Sequence, residues 1–279
     1  MCESERMTHL YDETSILLTD RVAIVTGAAE GIGRDTALLF ARCGANLAIC
    51  DRQAGLMAEV AAEIEALGRQ VITAELDVRD AEAVDGFVEQ VVARFGHVDV
   101  LVNNAGGTFV SPFLDVSPKG EASIIAENFT QVTHFIRRVA PVLRDGGSII
   151  NITSVEAHQA GPGFAVYAAM KTAVESFSKS LALELGSRRI RVNSISPDAQ
   201  PSEGDKGLQE TMLAADPEFL PAFLPPLGYY GTTEDSAAAA LFLASDLSRF
   251  ITGTSIHVDG GTWAGGGWHR PDATRPSTH

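Results

Sequence analysis

Val22-Ala23-Ile24-Val25-Thr26-Gly27-Ala28-Ala29-Glu30-Gly31-Ile32-Gly33 runs from an apolar, β-branched segment straight into a cluster of glycines. The apolar half reads as a buried parallel strand. Helical periodicity follows from about Arg34 to Arg42, so the stretch spells strand, tight turn, helix. Glycines in such a turn let the backbone approach a pyrophosphate at a helix N-terminus. Any strand-to-helix turn can carry glycines, so the loop alone is weak evidence. The next segment strengthens it. Asn46-Leu47-Ala48-Ile49-Cys50 reads as a second strand, and Asp51 ends it. A carboxylate there is placed to accept hydrogen bonds from a ribose diol. Its charge, with that of Glu30 in the loop, would repel a 2′-phosphate, so NAD is expected and NADP is less favoured. Arg52 points the other way, because a guanidinium pairs well with phosphate.

The same alternation continues. Val60, Ile64 and Leu67 mark a helix face, and Val71 to Leu76 read as a third strand ending at Asp77-Val78. Val84, Phe87, Val88, Val91, Val92 and Phe95 recur at helical spacing. A fourth strand over 98–102 leads into Asn103-Asn104-Ala105-Gly106. A long helix is expected over 118–143, a fifth strand over 148–152 and a helix ending near Leu185. The sixth and seventh strands are expected over 190–195 and 255–258. Strands and helices alternating at this pace imply an α/β fold: a doubly wound, mostly parallel seven-stranded sheet with helices on both faces. With no repeat and no internal linker, one domain over 18–261 is expected. An N-terminal extension (1–17) and a tail (262–279) flank it.

Composition narrows the function. The 279 residues carry a formal net charge of −15, which argues against nucleic acid as a partner. No apolar run is long enough to span a bilayer. The first twenty residues lack a signal peptide's basic start and apolar middle, so a cytoplasmic location is expected. Three cysteines fit free thiols better than a disulfide framework. The seven histidines are scattered without metal-ligand spacing, so no catalytic metal is expected.

The chemistry is concentrated in the segment from Ser154 to Lys171. Tyr167 and Lys171 are four apart and share a helix face. Free tyrosine titrates near ~10, too high for a good base at neutral pH. A neighbouring ammonium favours the phenolate, which can then exchange a proton with an alcohol or carbonyl oxygen. Ser154 lies just past the fifth strand, thirteen residues before the tyrosine.

This ordered set resembles the short-chain dehydrogenase/reductase family, in its compact single-domain branch with a Rossmann-like fold. The resemblance covers roughly residues 18–261. It rests on Thr26 to Gly33, Asp77, Asn103 to Gly106, Asn128, Ser154, Tyr167, Lys171 and Asn193 to Pro197. It implies Tyr167 as general acid/base, with Lys171 holding the nicotinamide ribose and lowering the tyrosine pKa. Ser154 would donate a hydrogen bond to the substrate oxygen, and Asn128 would hold a water that links Lys171 to solvent. Gly27, Glu30, Gly31, Ile32 and Gly33 would form the pyrophosphate loop, with Asp51 and Arg52 at the ribose. Asp77 and Val78 would border the adenine, and Asn104, Ala105, Gly106 and Pro197 would line the cofactor. The family also implies a homotetramer built through the two long helices.

Two features depart from the family. Pro197-Asp198 stands where Pro-Gly is usual, and Asp198 is expected to point away, toward a lid hinge. The aromatic residue often found after the position of Pro118 is missing, with Glu121 nearby. The stretch 198–231 is rich in proline and in large apolar residues, among them Leu208, Met212, Phe219, Phe223, Leu227, Tyr229 and Tyr230. By the family resemblance it would fold over the substrate as a lid, and its apolar content suggests a bulky apolar alcohol or ketone: steroid-like, alicyclic or hydroxyacyl. Glu156, His158 and Phe164 are candidate substrate contacts. The expected activity is hydride transfer between NAD(H) and a secondary alcohol or ketone. The rivals are a 3-oxoacyl-thioester reductase and a non-catalytic NAD(H) sensor or scaffold.

Overall fold

The structure is a computed structural model that describes residues 11–198, 200 and 225–266. Seven parallel strands form one sheet in the order β3-β2-β1-β4-β5-β6-β7. They are β1 Val22–Thr26, β2 Asn46–Asp51, β3 Val71–Glu75, β4 Val98–Asn103, β5 Leu143–Ile152, β6 Arg191–Pro197 and β7 Ser255–Val258. The helices are α1 Gly31–Arg42, α2 Ala54–Ala66, α3 Ala81–Phe95, α4 Pro118–Ile125, α5 Gln131–Val139, α6 Ala165–Glu184, α7 Thr233–Ala244 and the single turn α8 Thr262–Gly265.

Strand side chains alternate between two apolar layers. Ala23 and Val25 of β1 pack with Phe40, Val60, Ile64 and Ala240 of α1, α2 and α7. Val22 and Ile24 pack with Phe87, Phe135 and Val174 of α3, α5 and α6. Both faces are therefore covered, which is why β1 is buried along its whole length and reads as an unbroken apolar run. The order of winding reverses between β1 and β4. The loops leaving those two strands diverge and open a crevice at the carboxyl edge of the sheet.

The helix expected over 118–143 differs. Ser117 caps α4 by accepting the Gly120 N–H at 3.1 Å. The chain then passes through a π-helical turn, Ala126–Thr130, and α5 stops at Val139. Pro141 has no N–H to continue the ladder, and Leu143 already pairs with Val98. Helix α1 begins at Gly31 rather than near Arg34, so the glycine loop is itself the helix entry. Cys50 is buried and Cys43 half-buried, both as free thiols.

Candidate active site

The site residues gather at the carboxyl ends of β1, β4, β5 and β6. Thr26 closes β1 and organises the crevice. Its Oγ1 accepts the backbone N–H groups of Asn104 and Ala105 at 3.0 and 2.9 Å. Asn104 Nδ2 donates back to the carbonyls of Thr26 and Gly27. The two loops are thereby tied together across the switch point. Gly27 holds φ +65°, which a side chain would strain. Gly33 is needed for closeness: a methyl group there would lie 2.1 Å from Gly27 O and 2.5 Å from Asn104 Nδ2. A cradle this tight, at the start of α1, suits a pyrophosphate.

Asp51 closes β2 beside that cradle. Its carboxylate accepts the N–H of Ala29 at 3.1 Å and that of Gln53 at 3.1 Å. Gln53 also donates to Glu30 at 3.2 Å, which keeps a second carboxylate at the same rim. Arg52 reaches away from both, to within 3.5 Å of Glu127. Asp77 is held by Arg79 at 2.5 Å, and these hydrogen bonds bring its carboxyl down to about 2. Val78 turns its side chain into the core, leaving its backbone at the rim. Ile32 packs on the opposite layer.

Lys171 lies buried between β5 and the π-helical turn. Its ammonium donates to Ile152 O at 3.0 Å and lies 5.4 Å from the centre of the Tyr167 ring, so the two share the expected face of α6. Burial pushes its pKa down to about 8, against the opposing pull of Glu127 and Glu156. At neutral pH it still carries its charge. Asn128 donates to Gly107 O and Ile124 O. Its Oδ1 is buried without a hydrogen-bond partner among the described residues. A methyl group built on Gly106 would lie 3.0 Å from that oxygen and 3.2 Å from Lys171 Nζ. The orphan acceptor and the ammonium thus border the same small space, and the π-helical turn is what aims Asn128 there.

Ser154 is 7 % exposed, and its hydroxyl donates to the carboxylate of Glu156. His158 faces the other way. Its ring meets the buried Glu175 at 2.9 Å and lies tilted against His257, which stacks on Trp263. Glu156 and His158, neighbours in one loop, therefore face different surroundings. Phe164 joins Phe109, Phe113, Val116 and Ile124 in walling the recess that Tyr167 lines. Pro197 ends β6, and Asp198 N–H donates to Val258 O at 3.2 Å. The Asp198 carboxylate acts on Tyr230, helping burial to raise that phenol's pKa. The lid residues from Leu208 to Phe223 lie outside the described residues. Leu227, Tyr229 and Tyr230 are exposed.

Three residues of the site escaped the sequence reading. Glu127 precedes Asn128 and approaches both Gly107 and Arg52. Arg79 fixes Asp77. Glu175 accepts hydrogen bonds from Thr153 and Ser255, each at 3.0 Å. Only Glu175 had a usable signal: it follows Lys171 by four and Tyr167 by eight, on one helix face.

The buried ammonium has a consequence for stability. Unfolded lysine titrates near ~10.4, whereas Lys171 titrates at about 8 in the fold. Between those values the unfolded chain holds the extra proton, so stability rises with pH. Below that window the charged group costs up to about 3 kcal/mol. Lys171→Met is expected to raise Tm at pH 7 and to flatten the pH dependence between about 8 and 10. Melting curves across that range test this; a mutant with the wild-type slope would place the titration elsewhere.

A family model described as enoyl-(acyl carrier protein) reductase matches residues 27–262. The 3-oxoacyl-[acyl-carrier-protein] reductase FabG of Chlamydia muridarum is 39 % identical over 249 residues, covering 88 % of this chain and 98 % of its own. The protein of the same name from Thermotoga maritima is 35 % identical over 246 residues, covering 88 % of this chain and 98 % of its own. Among solved structures, a 7α-hydroxysteroid dehydrogenase complexed with NADH and 7-oxo glycochenodeoxycholic acid superposes with a TM-score of 0.82. It is 30 % identical and covers 90 % of this chain and 98 % of its own. Carveol dehydrogenase from Mycobacterium avium in complex with NAD also has a TM-score of 0.82. It is 31 % identical and covers 88 % of this chain and 99 % of its own.

Proposed function

The chain belongs to the short-chain dehydrogenase/reductase family of oxidoreductases, and on that premise we propose an NAD(H)-dependent dehydrogenase of bulky secondary alcohols and ketones. The observation that carries this is the pairing of Tyr167 with the buried, charged Lys171 on one face of α6. When bound, the nicotinamide supplies the carbon that accepts or returns hydride. Tyr167 takes the carbinol proton in oxidation and gives it back in reduction, with Lys171 favouring the phenolate. Ser154 hydrogen-bonds the substrate oxygen where charge develops. Asn128 holds a water against Lys171. The loop 27–33 holds the pyrophosphate, Asp51 the ribose, the backbone at Asp77 and Val78 the adenine edge, and Asn104 to Gly106 with Pro197 the nicotinamide half.

Asp51 and Glu30 at the rim favour NAD over NADP, and the engagement of Arg52 by Glu127 draws that cation away from a 2′-phosphate. Asp51→Ala is expected to narrow the preference for NAD(H) by about tenfold. Fluorescence titration with both cofactors measures it, and a wild type that binds NADP(H) more tightly contradicts the assignment. The phenylalanines of the recess favour an apolar substrate body, the class that the steroid and carveol enzymes act on by name. The test is nicotinamide absorbance on steroid, alicyclic and hydroxyacyl panels with both cofactors.

A second reading, 3-oxoacyl-thioester reduction, draws on the reductases that match across nearly their whole length. Faster turnover of 3-oxoacyl thioesters than of any alicyclic ketone would favour it. No helix of the described residues is long and apolar enough to cross a membrane. A small-molecule substrate, a cytoplasmic setting and a homotetramer through α4, α5 and α6 complete the proposal. The 84 % exposed Leu183 on α6 is suited to such an interface.

A further inference from the structure

Glu156 brings a carboxylate to a place where the chemistry described above does not ask for one. Its side chain accepts the hydroxyl hydrogen of Ser154 and acts electrostatically on Lys171. A methyl group built on Gly161 would lie 3.2 Å from Glu156 Cγ and 3.3 Å from the Phe164 ring. Phe164 walls the recess that Tyr167 lines. The Glu156 carboxylate therefore meets the serine hydroxyl while its stem lies beside the loop that carries Phe164, and its loop neighbour His158 is turned to Glu175.

This arrangement conflicts with a substrate that has a single oxygen. Ser154 cannot donate its one hydrogen both to Glu156 and to the reacting oxygen. Serving the substrate would leave a half-buried carboxylate without its donor, which is costly. A substrate can remove the conflict by bringing a donor of its own. The two oxygens of a gauche 1,2-diol stand about one hydrogen-bond length apart, close enough for one to meet Ser154 and the other Glu156. The reacting oxygen then meets Ser154 and Tyr167 while the neighbouring hydroxyl donates to Glu156.

We propose that Glu156 is a specificity-determining residue that selects substrates with a hydroxyl on the carbon next to the reacting one: 1,2-diols in oxidation and α-hydroxy ketones in reduction. The proposal rests on the dehydrogenase reading above and names its substrate class. The stoichiometry is that of an ordinary alcohol oxidation. One carbinol carbon becomes a carbonyl, its C–H hydride goes to the oxidised nicotinamide dinucleotide and its O–H proton goes to Tyr167. The second hydroxyl keeps its proton throughout. A 3-oxoacyl thioester offers only acceptor oxygens near the reacting carbon, so it would set a lone pair against the carboxylate.

The test compares cyclohexane-1,2-diol with cyclohexanol, and 2-hydroxycyclohexanone with cyclohexanone, for wild type, Glu156→Gln and Glu156→Leu. Cofactor affinity is titrated alongside to show that each variant is folded and loaded. The wild type is expected to favour the dihydroxy or hydroxy-keto partner by about tenfold or more in kcat/KM. Glu156→Leu should lower kcat/KM for the diol and raise it for cyclohexanol, because Ser154 is released. Glu156→Gln keeps an acceptor oxygen and should fall between. Equal use of both partners by the wild type, or a preference that survives in Glu156→Leu, overturns the proposal and leaves the dehydrogenase reading standing. No turnover of any of the four compounds overturns the proposal, and no turnover of the steroid, alicyclic and hydroxyacyl panels with either cofactor overturns the dehydrogenase reading as well.

Discussion

Replacing Tyr167 with phenylalanine is expected to lower kcat by about a hundred- to ten-thousandfold, the range lost when a general acid/base is removed. The change deletes one oxygen and little else. The ring remains, so Lys171 keeps its place 5.4 Å from the centroid, and Phe164 keeps its neighbour at 6.3 Å. NAD(H) affinity should therefore stay within about twofold, and the loss should fall on kcat rather than KM. Stopped-flow or steady-state turnover, with a parallel cofactor titration, separates the two. A variant that still turns over at a comparable rate would remove the proton route on which the mechanism depends.

Gly33→Ala is expected to be the most damaging single change in the cofactor loop. The added methyl would meet Gly27 O at 2.1 Å and Gly27 C at 2.8 Å, both backbone atoms that cannot swing aside. The third neighbour, Asn104 Nδ2, is fixed by its bonds to Thr26 O and Gly27 O. Relief requires α1 to move away from the β1 turn, and with it the N–H groups that would face the pyrophosphate. Overpacking of this kind costs about 1–3 kcal/mol, so Tm should fall by about 3–10 °C. The cofactor affinity should fall with it. Calorimetry and a cofactor titration test the pair, and wild-type values in both would mean the loop is looser than its geometry.

Much of the architecture was legible because sequence periodicity and burial share a cause. A strand covered on both faces is buried along its length, and β1 and β4 are, with apolar side chains everywhere but Thr26, Asp99 and Asn103. Helix α3 is marked by apolar spacing, to which the structure adds Asp80 as a cap that accepts the N–H groups of Glu82 and Ala83. The region 118–143 misled because helical periodicity does not distinguish a continuous helix from two joined by a π-helical turn. That turn buries Asn128 and orients its amide. The partnerships of Glu127 with Arg52 and of Glu175 with Thr153, His158 and Ser255 join residues far apart in the chain. No local spacing encodes them.

By itself the sequence determined the strand and helix order, the glycine turn at the sheet edge and the shared helix face of Tyr167 and Lys171. These follow from backbone geometry and from repeats a few residues long, which any reader of the chain can count. Only the tertiary structure decided how much solvent Lys171 loses, which neighbour receives the Ser154 hydrogen, and that Glu156 and His158 face opposite ways. Desolvation and hydrogen-bond choice depend on what the fold brings near from elsewhere in the chain, and one-dimensional spacing carries no record of that.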